Sequence, residues 1–124
     1  MILGIHHIGF AVENLEENIK FYNSLDFELV KRFKKAEPKA KAAYLRKESS
    51  LVELWDFENE NEPLVKIVRK HIALETDNIE KDIKIFQNNG FEIIVPITEG
   101  VTVKKFAFVK DKQNNYFELY QEGI

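Results

Sequence analysis

The chain has 124 residues with a net charge of −3 at pH 7, 44% hydrophobic and 31% charged residues, and no cysteine. This length suits one compact domain or two small modules, and the composition is that of an ordinary globular protein. A disulfide framework, a thiolate metal site and a cysteine nucleophile are excluded. Without a long basic run, nucleic-acid binding is not indicated. No signal peptide or membrane-spanning run is recognisable, so we expect a cytoplasmic protein without a membrane partner.

The first half of the chain predicts a β-α-β-β-β module. An apolar run at 2–12 predicts a strand, and apolar residues at helical spacing behind the capping residue Asn14 predict a helix over 14–24. Three further strands are expected over 27–33, 42–45 and 51–55. The acidic, proline-containing segment that follows predicts a linker.

The same plan restarts after the linker. A strand is expected over 69–76. Asp77 and Asn78 are both candidates for the cap of a helix that ends near Asn89, and Asp77 has capping-box spacing with Glu80. The last strands are expected over 91–97, 101–109 and 116–120. We therefore predict a single domain over 1–124, made of a module over 1–56, a linker over 57–67 and a module over 68–124.

The two halves form an internal repeat. Eight residues of the first half recur unchanged 64 positions later. They are His7, Ile8, Asn14, Glu16, Ile19, Lys20, Phe27 and Glu28. Past the last hairpin the offset becomes 65, which aligns Glu53-Leu54-Trp55 with Glu118-Leu119-Tyr120. Repeats of one supersecondary unit indicate that neither copy buries its sheet alone. The predicted class is α+β, with two βαβββ modules forming a cupped mixed sheet.

Four polar residues in apolar strands are singled out by the repeat, namely His7, Glu53, His71 and Glu118. Each histidine lies in the first strand of its module, and each glutamate lies in the last. A lone histidine in a strand is more often a core residue than a ligand, and a lone glutamate more often faces solvent. Two imidazoles and two carboxylates in repeat-related pairs instead predict a site for a divalent metal ion, because ionised glutamates on an apolar face are costly unless paired or metal-bound.

Alternation along the first strand separates the two adjacent histidines. His6 and His7 point to opposite faces of a strand. The repeat places Lys70 at the position of His6, and lysine favours solvent. We therefore expect His6 to be exposed and His7 to face inward.

Three motifs resemble the vicinal oxygen chelate superfamily, which contains glyoxalases, dioxygenases and bleomycin resistance proteins. They are His7-Ile8-Gly9-Phe10-Ala11-Val12, Lys70-His71-Ile72-Ala73-Leu74 and Tyr116-Phe117-Glu118-Leu119-Tyr120. The resemblance implies a cupped sheet that holds a divalent ion (Ni, Zn, Co, Mn or Fe), with His7, Glu53, His71 and Glu118 as its ligands.

Within the superfamily, the His/Glu/His/Glu set most resembles bacterial glyoxalase I. This implies a lactoylglutathione lyase-like isomerase that removes a proton next to a metal-bound carbonyl through an enediolate, with a thiol such as glutathione as part of its small-molecule substrate. Glu118 is our first choice for the base and Glu53 the second. The alternatives are a methylmalonyl-CoA epimerase-like enzyme and a non-catalytic protein that binds a small molecule such as an antibiotic. A homodimer is expected, because small symmetric dimers are common.

Surrounding residues have expected roles as well. Aromatic candidates for the pocket lining are Tyr44, Trp55, Phe106, Phe108 and Tyr120. Candidates for contact with an anionic substrate tail are Arg32, Arg46, Lys104 and Lys105. For most of these residues, plain core or solvated surface is the simpler interpretation.

Overall fold

The structure is a computed structural model that describes residues 1–100 and 105–122. The described residues contain eight strands and three helices. In chain order they are β1 (Ile2–Ala11), α1 (Leu15–Ser24), β2 (Glu28–Ala36), β3 (Lys39–Lys47), β4 (Ser50–Phe57), α2 (Pro63–Val68), β5 (Lys70–Thr76), α3 (Ile79–Asn88), β6 (Glu92–Glu99), β7 (Lys105–Lys110) and β8 (Tyr116–Gln121). The predicted α+β class is confirmed, and both copies of the repeat follow the order strand, helix and three strands.

One compact unit consists of His7–Lys70. Its strands have the order β2-β3-β4-β1, in which β1 runs parallel to β4 and the other neighbours are antiparallel. Helix α1 begins behind Asn14, whose side chain accepts a hydrogen bond from the backbone N–H of Glu17. The helix packs on the sheet through a core formed by Leu15, Ile19, Ala43, Leu45, Val52 and Leu54.

The other compact unit consists of Met1–His6 and His71–Ile124. In it β5 pairs parallel with β8, and β7 pairs antiparallel with both β8 and β6. Helix α3 begins behind Asn78, whose side chain accepts a hydrogen bond from the backbone N–H of Lys81. Its core is formed by Ile79, Ile83, Ala107, Val109 and Leu119. Each unit thus repeats the same capped helix on the same pattern of four strands.

The structure differs from the sequence expectation in two places. A short helix, α2, occupies the end of the segment expected to be a linker, and Pro63 stands in its first turn, where the missing N–H has no helical partner to lose. Strand β3 is longer than the predicted 42–45, because lysines alternate with buried alanines along its first half. Residues 101–104, where the strand over 101–109 was expected to begin, lie outside the described residues. No helix among the described residues is long and apolar enough to cross a membrane.

Candidate metal centre

His7 and Glu53 form a buried pair in the unit His7–Lys70. His7 lies on β1 and Glu53 on β4, and the parallel pairing of these strands sets Gly9 opposite Glu53. The exposed fractions are 1% for His7 and 5% for Glu53, and 3.4 Å separates His7 Nε2 from Glu53 Oε1. The pair is therefore enclosed by protein, as a metal-ligand pair or a charge-paired core residue requires.

Aromatic rings surround this pair. The indole Nε1–H of Trp55 donates a hydrogen bond of 2.8 Å to Oε1 of Glu53. The ring of Tyr44 meets the His7 imidazole edge-on at a centroid distance of 5.7 Å, and Phe33 meets Trp55 in the same way at 5.1 Å. The predicted lining roles of Tyr44 and Trp55 thus correspond to direct contacts with the two candidate ligands, and Trp55 fixes the orientation of the Glu53 carboxylate.

His71 and Glu118 form the equivalent pair in the other unit. Their exposed fractions are 4% and 8%, and 3.3 Å separates His71 Nε2 from Glu118 Oε1. Phe108, which occupies the repeat position of Tyr44, meets the His71 imidazole edge-on at 5.3 Å. The internal repeat of the sequence therefore appears in the structure as two buried His–Glu pairs with nearly equal Nε2–Oε1 distances.

His7, Glu53, His71 and Glu118 constitute a candidate metal-binding group among residues 1–100 and 105–122. Each residue offers one ligand atom, and all four are buried. Every residue that the repeat singled out for this role is thus placed inside the protein rather than on a solvated face of a strand.

His6 is partly buried, whereas an exposed position was expected. Its side chain is only 14% exposed, because its ring stacks on Tyr120 with a centroid distance of 3.9 Å. Its Nε2 lies 3.0 Å from Oε1 of Glu122. Sequence reasoning missed Glu122, although its spacing from Glu118 and Tyr120 follows the alternation of β8.

Two of the residues expected to meet an anionic tail, Arg32 and Lys105, have other partners. Arg32 donates two hydrogen bonds, of 2.6 and 2.8 Å, to the carboxylate of Glu16 and thereby holds the pKa of Glu16 below its ordinary value. Lys105 forms an ion pair with Glu80. Arg46 is exposed, and Lys104 lies outside the described residues.

Several proteins resemble this chain. YwkD of Bacillus subtilis (strain 168), described as an uncharacterized protein, is 24% identical over 128 residues, which cover 98% of this chain and 99% of YwkD. A hypothetical protein from Bacillus halodurans C-125 has a solved structure with a TM-score of 0.84 and 25% identity, covering 97% of this chain and 94% of its own.

Methylmalonyl-CoA epimerases are also among the solved structures that share this fold. The enzyme from Mycobacterium tuberculosis gives a TM-score of 0.84 at 17% identity and covers 99% of this chain and 90% of its own. A Streptomyces coelicolor epimerase variant in complex with 2-nitronate-propionyl-CoA gives 0.82 at 20% identity and covers both chains completely.

The family model of the Glyoxalase/Bleomycin resistance protein/Dioxygenase superfamily matches residues 4–119. This match includes all four residues of the two His–Glu pairs. It covers both copies of the βαβββ repeat apart from the first residues of β1 and the last residues of β8. The chain therefore belongs to the Glyoxalase/Bleomycin resistance protein/Dioxygenase superfamily.

Proposed function

We propose that this protein is a divalent-metal-dependent enzyme that moves a proton on the carbon next to the carbonyl of a CoA thioester. The observation that carries the proposal is the pair of buried His–Glu couples, one in each repeat unit, at 3.4 and 3.3 Å. A single buried His–Glu pair could equally be a structural pair in the core. Its duplication in a superfamily member is what favours a shared ligand set.

The donor set fits a divalent transition metal. Two imidazole nitrogens and two carboxylate oxygens suit Ni, Zn, Co, Mn or Fe(II) better than Ca²⁺, which prefers oxygen ligands alone, or a thiophilic ion. Glu53 and Glu118 are 5% and 8% exposed, and carboxylates this deeply buried require a charge partner. We therefore assign the ligand roles to His7, Glu53, His71 and Glu118.

When bound, such an ion polarises a substrate carbonyl and stabilises the negative charge that develops as the adjacent C–H bond breaks. The protein's own contribution is proton transfer. We assign to Glu118 the removal of the proton, in which the C–H bond breaks and an Oε–H bond forms. Glu118 then returns a proton to the same carbon, in which the Oε–H bond breaks and a C–H bond forms, while Glu53 stays a ligand.

The hydrogen bond from Trp55 is our reason for choosing Glu118 rather than Glu53 as the base. Its indole holds the Glu53 carboxylate by a hydrogen bond of 2.8 Å, which must break before this carboxylate can reorient. Glu53 is therefore better suited to ligand binding than to the first proton transfer, and Glu118 remains our first choice for the base.

The thioester is favoured over the glyoxalase I substrate by the structural neighbours. Two of the similar structures are named methylmalonyl-CoA epimerases, and one of them is a complex with a CoA ligand. Their identity to this chain is at most 20%, so this similarity supports the fold and only guides the choice of the first substrate to test. The hemithioacetal of methylglyoxal and glutathione is the second substrate to test.

The test begins with the metal content of the purified protein under metal-replete conditions, measured by mass spectrometry. Methylmalonyl-CoA is then incubated with the protein in D₂O, and exchange of the proton next to the thioester is followed by NMR. We expect about one bound ion for each four-residue ligand set and metal-dependent exchange. Glu118→Gln should abolish the exchange, while Glu92→Gln, an exposed strand glutamate in the same unit, should leave it unchanged.

Each alternative gives a different result in these assays. Isomerisation of the hemithioacetal without thioester exchange would identify a glyoxalase I-type lyase. Tight binding of a small molecule without turnover of either substrate would identify a binding protein. Full exchange activity in Glu118→Gln would refute our assignment of the base.

A further inference from the structure

A cavity of about 850 Å³ opens at the turn between β2 and β3, within the unit His7–Lys70. Its charged lining residues are Lys34, Lys35, Lys39, Lys41, Asp56 and Glu58. Four cations therefore face two anions, and this surplus of positive charge lies on a protein whose net charge is −3.

Both acidic residues of the cavity are already engaged. Glu58 forms an ion pair of 3.2 Å with Lys39. Oδ2 of Asp56 accepts a hydrogen bond of 3.0 Å from the backbone N–H of Leu15, at the start of α1. Neither carboxylate thus lies within ion-pair distance of Lys34 or Lys41 among the described residues.

Lys34 and Lys41 stand directly opposite each other in the antiparallel pairing of β2 and β3. Like charges in directly opposed positions destabilise a sheet. On its other side Lys41 stands opposite Asp56 of β4, whose carboxylate accepts the hydrogen bond from Leu15.

The other copy of the repeat shows the same position without the surplus charge. Lys105 is the repeat equivalent of Lys41, and it stands opposite Glu99 in the pairing of β6 and β7. It also forms an ion pair with Glu80. In that unit the lysine has an ion-pair partner and stands opposite a glutamate instead of a second lysine.

The glutamate that would neutralise Lys41 is present but occupied. Glu16 is the repeat equivalent of Glu80, and Arg32 binds both of its carboxylate oxygens, at 2.6 and 2.8 Å. Pro96 stands at the repeat position of Arg32, so this capture has no counterpart in the other unit. Besides Arg32, Lys41 also lowers the pKa of Glu16 through its charge, but it forms no ion pair with Glu16 among the described residues.

We propose that the cavity at the β2–β3 turn binds a phosphate group of a small molecule, with Lys34 and Lys41 as its main contacts. Lysine binds phosphate as a compact point charge with several rotatable N–H donors, and charged hydrogen bonds of this kind are stronger than neutral ones. The proposal concerns a site separate from the metal centre and does not depend on the proposed reaction.

Two sources can supply the phosphate. Lys41 stands opposite both Lys34 and Asp56, so the two lysines lie on the α1 side of the sheet, whereas Glu53 faces the other side. A CoA substrate bound at Glu53 would therefore have to pass around the β2–β3 turn to place a phosphate there. A separate phosphorylated ligand would bind the same lysines.

The test uses inorganic pyrophosphate and isothermal titration calorimetry on the full chain at low salt. We expect one site whose affinity decreases as KCl is added, because partly exposed charges are screened. The double variant Lys34→Gln/Lys41→Gln should bind about tenfold more weakly or worse. The matched control Lys81→Gln/Lys84→Gln removes the same charge from α3 and should stay within about twofold of the wild type.

Two further variants keep the test decisive. Lys34→Glu recreates the Glu99–Lys105 arrangement of the other unit, so it should fold and still lose pyrophosphate binding if the double variant does not fold. Glu53→Gln should retain pyrophosphate binding, since the metal centre is separate. Equal binding by the wild type and the lysine variants, absence of binding, or loss of binding in Glu53→Gln would overturn the proposal.

Competition identifies the source of the phosphate. If pyrophosphate and methylmalonyl-CoA exclude each other, and the lysine substitutions weaken both, the phosphate belongs to the substrate. If both bind together, the site takes a separate phosphorylated ligand. A protein without thioester exchange that still binds pyrophosphate through these lysines would refute the proposed reaction alone.

Discussion

Trp55 orients Glu53, one of the candidate metal ligands, through one hydrogen bond. Trp55→Phe keeps an aromatic ring but removes the Nε1–H that holds Glu53 at 2.8 Å. Hydrogen bonds to ligand side chains orient the ligands, and their loss lowers metal affinity by about 10- to 100-fold. We expect a decrease of this size when the apoprotein is titrated with Zn²⁺ or Ni²⁺.

The control for this variant is Tyr22→Phe, which removes one polar atom from another partly buried aromatic residue of the same unit. It should bind the metal as the wild type does. An unchanged affinity in Trp55→Phe would show that the carboxylate needs no support from the indole.

Asp82 is a buried carboxylate outside the candidate metal centre. Burial by itself raises the pKa of Asp82, but hydrogen bonds from the Thr76 hydroxyl and the Met1 ammonium lower it further than burial raises it, so the pKa lies below its ordinary value. The same Thr76 oxygen accepts a hydrogen bond of 3.0 Å from the backbone N–H of Asn78. Thr76 therefore links a buried charge to the start of α3.

Thr76→Val should lower the free energy of unfolding by about 1–3 kcal/mol at pH 7, because two buried polar groups lose a partner. A depressed pKa stabilises the fold above the ordinary value and loses this effect as the pH falls through the folded value. The difference in the free energy of unfolding between the wild type and Thr76→Val should therefore become smaller below about pH 4. Urea unfolding measures both effects, and Thr98→Val, at an exposed position, is the control. A deficit that is constant from pH 3 to pH 7 would contradict this account.

At the scale of elements, α1 and α3 begin with the same residue in different backbone conformations. Asn14 caps α1 at a φ of 57°, in the left-handed region, whereas Asn78 caps α3 at a φ of −152°. Both side chains accept a hydrogen bond from the third residue beyond the cap. Asn14 thus provides both a cap and a tolerance of positive φ.

Substitution by alanine separates these two contributions. Asn78→Ala should cost about 1 kcal/mol for the lost cap. Asn14→Ala should cost about 2 kcal/mol, because alanine also disfavours the left-handed region. Urea denaturation of the two variants gives the comparison, and Asn14→Gly should recover part of the loss. Equal losses in the two alanine variants would show that the backbone conformation adds nothing.

The elements were predicted well where the repeat reinforced a local pattern. The Asn14 cap, both amphipathic helices and the strands carrying the four candidate ligands follow from spacing. Asp77 and Asn78 were both candidates for the cap of α3, and the structure has Asn78 there. Helix α2 could not be predicted, because its six residues, Pro63–Val68, are too few to show a helical period. The partial burial of His6 also escaped prediction, since stacking on Tyr120 joins residues 114 positions apart in the sequence.

The candidate site was predicted as a set of residues rather than as an arrangement. The repeat identifies His7, Glu53, His71 and Glu118, and the structure shows each of them buried. The Trp55 donor could not be assigned, because a side-chain hydrogen bond between neighbours two residues apart depends on rotamers that the pattern does not encode. The cytoplasmic location and the homodimer stay predictions, and light scattering on the purified protein checks the dimer.

At the scale of the whole molecule, metal binding should stabilise the fold. A ligand that binds only the native state stabilises it by about 2.7 kcal/mol at a free concentration 100 times its Kd. For a chain of this length that corresponds to a rise of roughly 10 °C in Tm. We expect this rise when Zn²⁺ or Ni²⁺ is added to EDTA-treated protein, and little rise in His7→Ala/His71→Ala. An equal rise in that variant would place the stabilising ion elsewhere.

The two compact units divide strand β1 between His6 and His7. The unit His7–Lys70 is one continuous segment, so all of its contacts are available once that segment has left the ribosome. The other unit joins Met1–His6 to residues that are synthesised more than 60 positions later. During translation, residues 1–6 can make their contacts only after the C-terminal half has been synthesised. We therefore expect folding in two stages, in which the unit His7–Lys70 folds first and the other unit folds second.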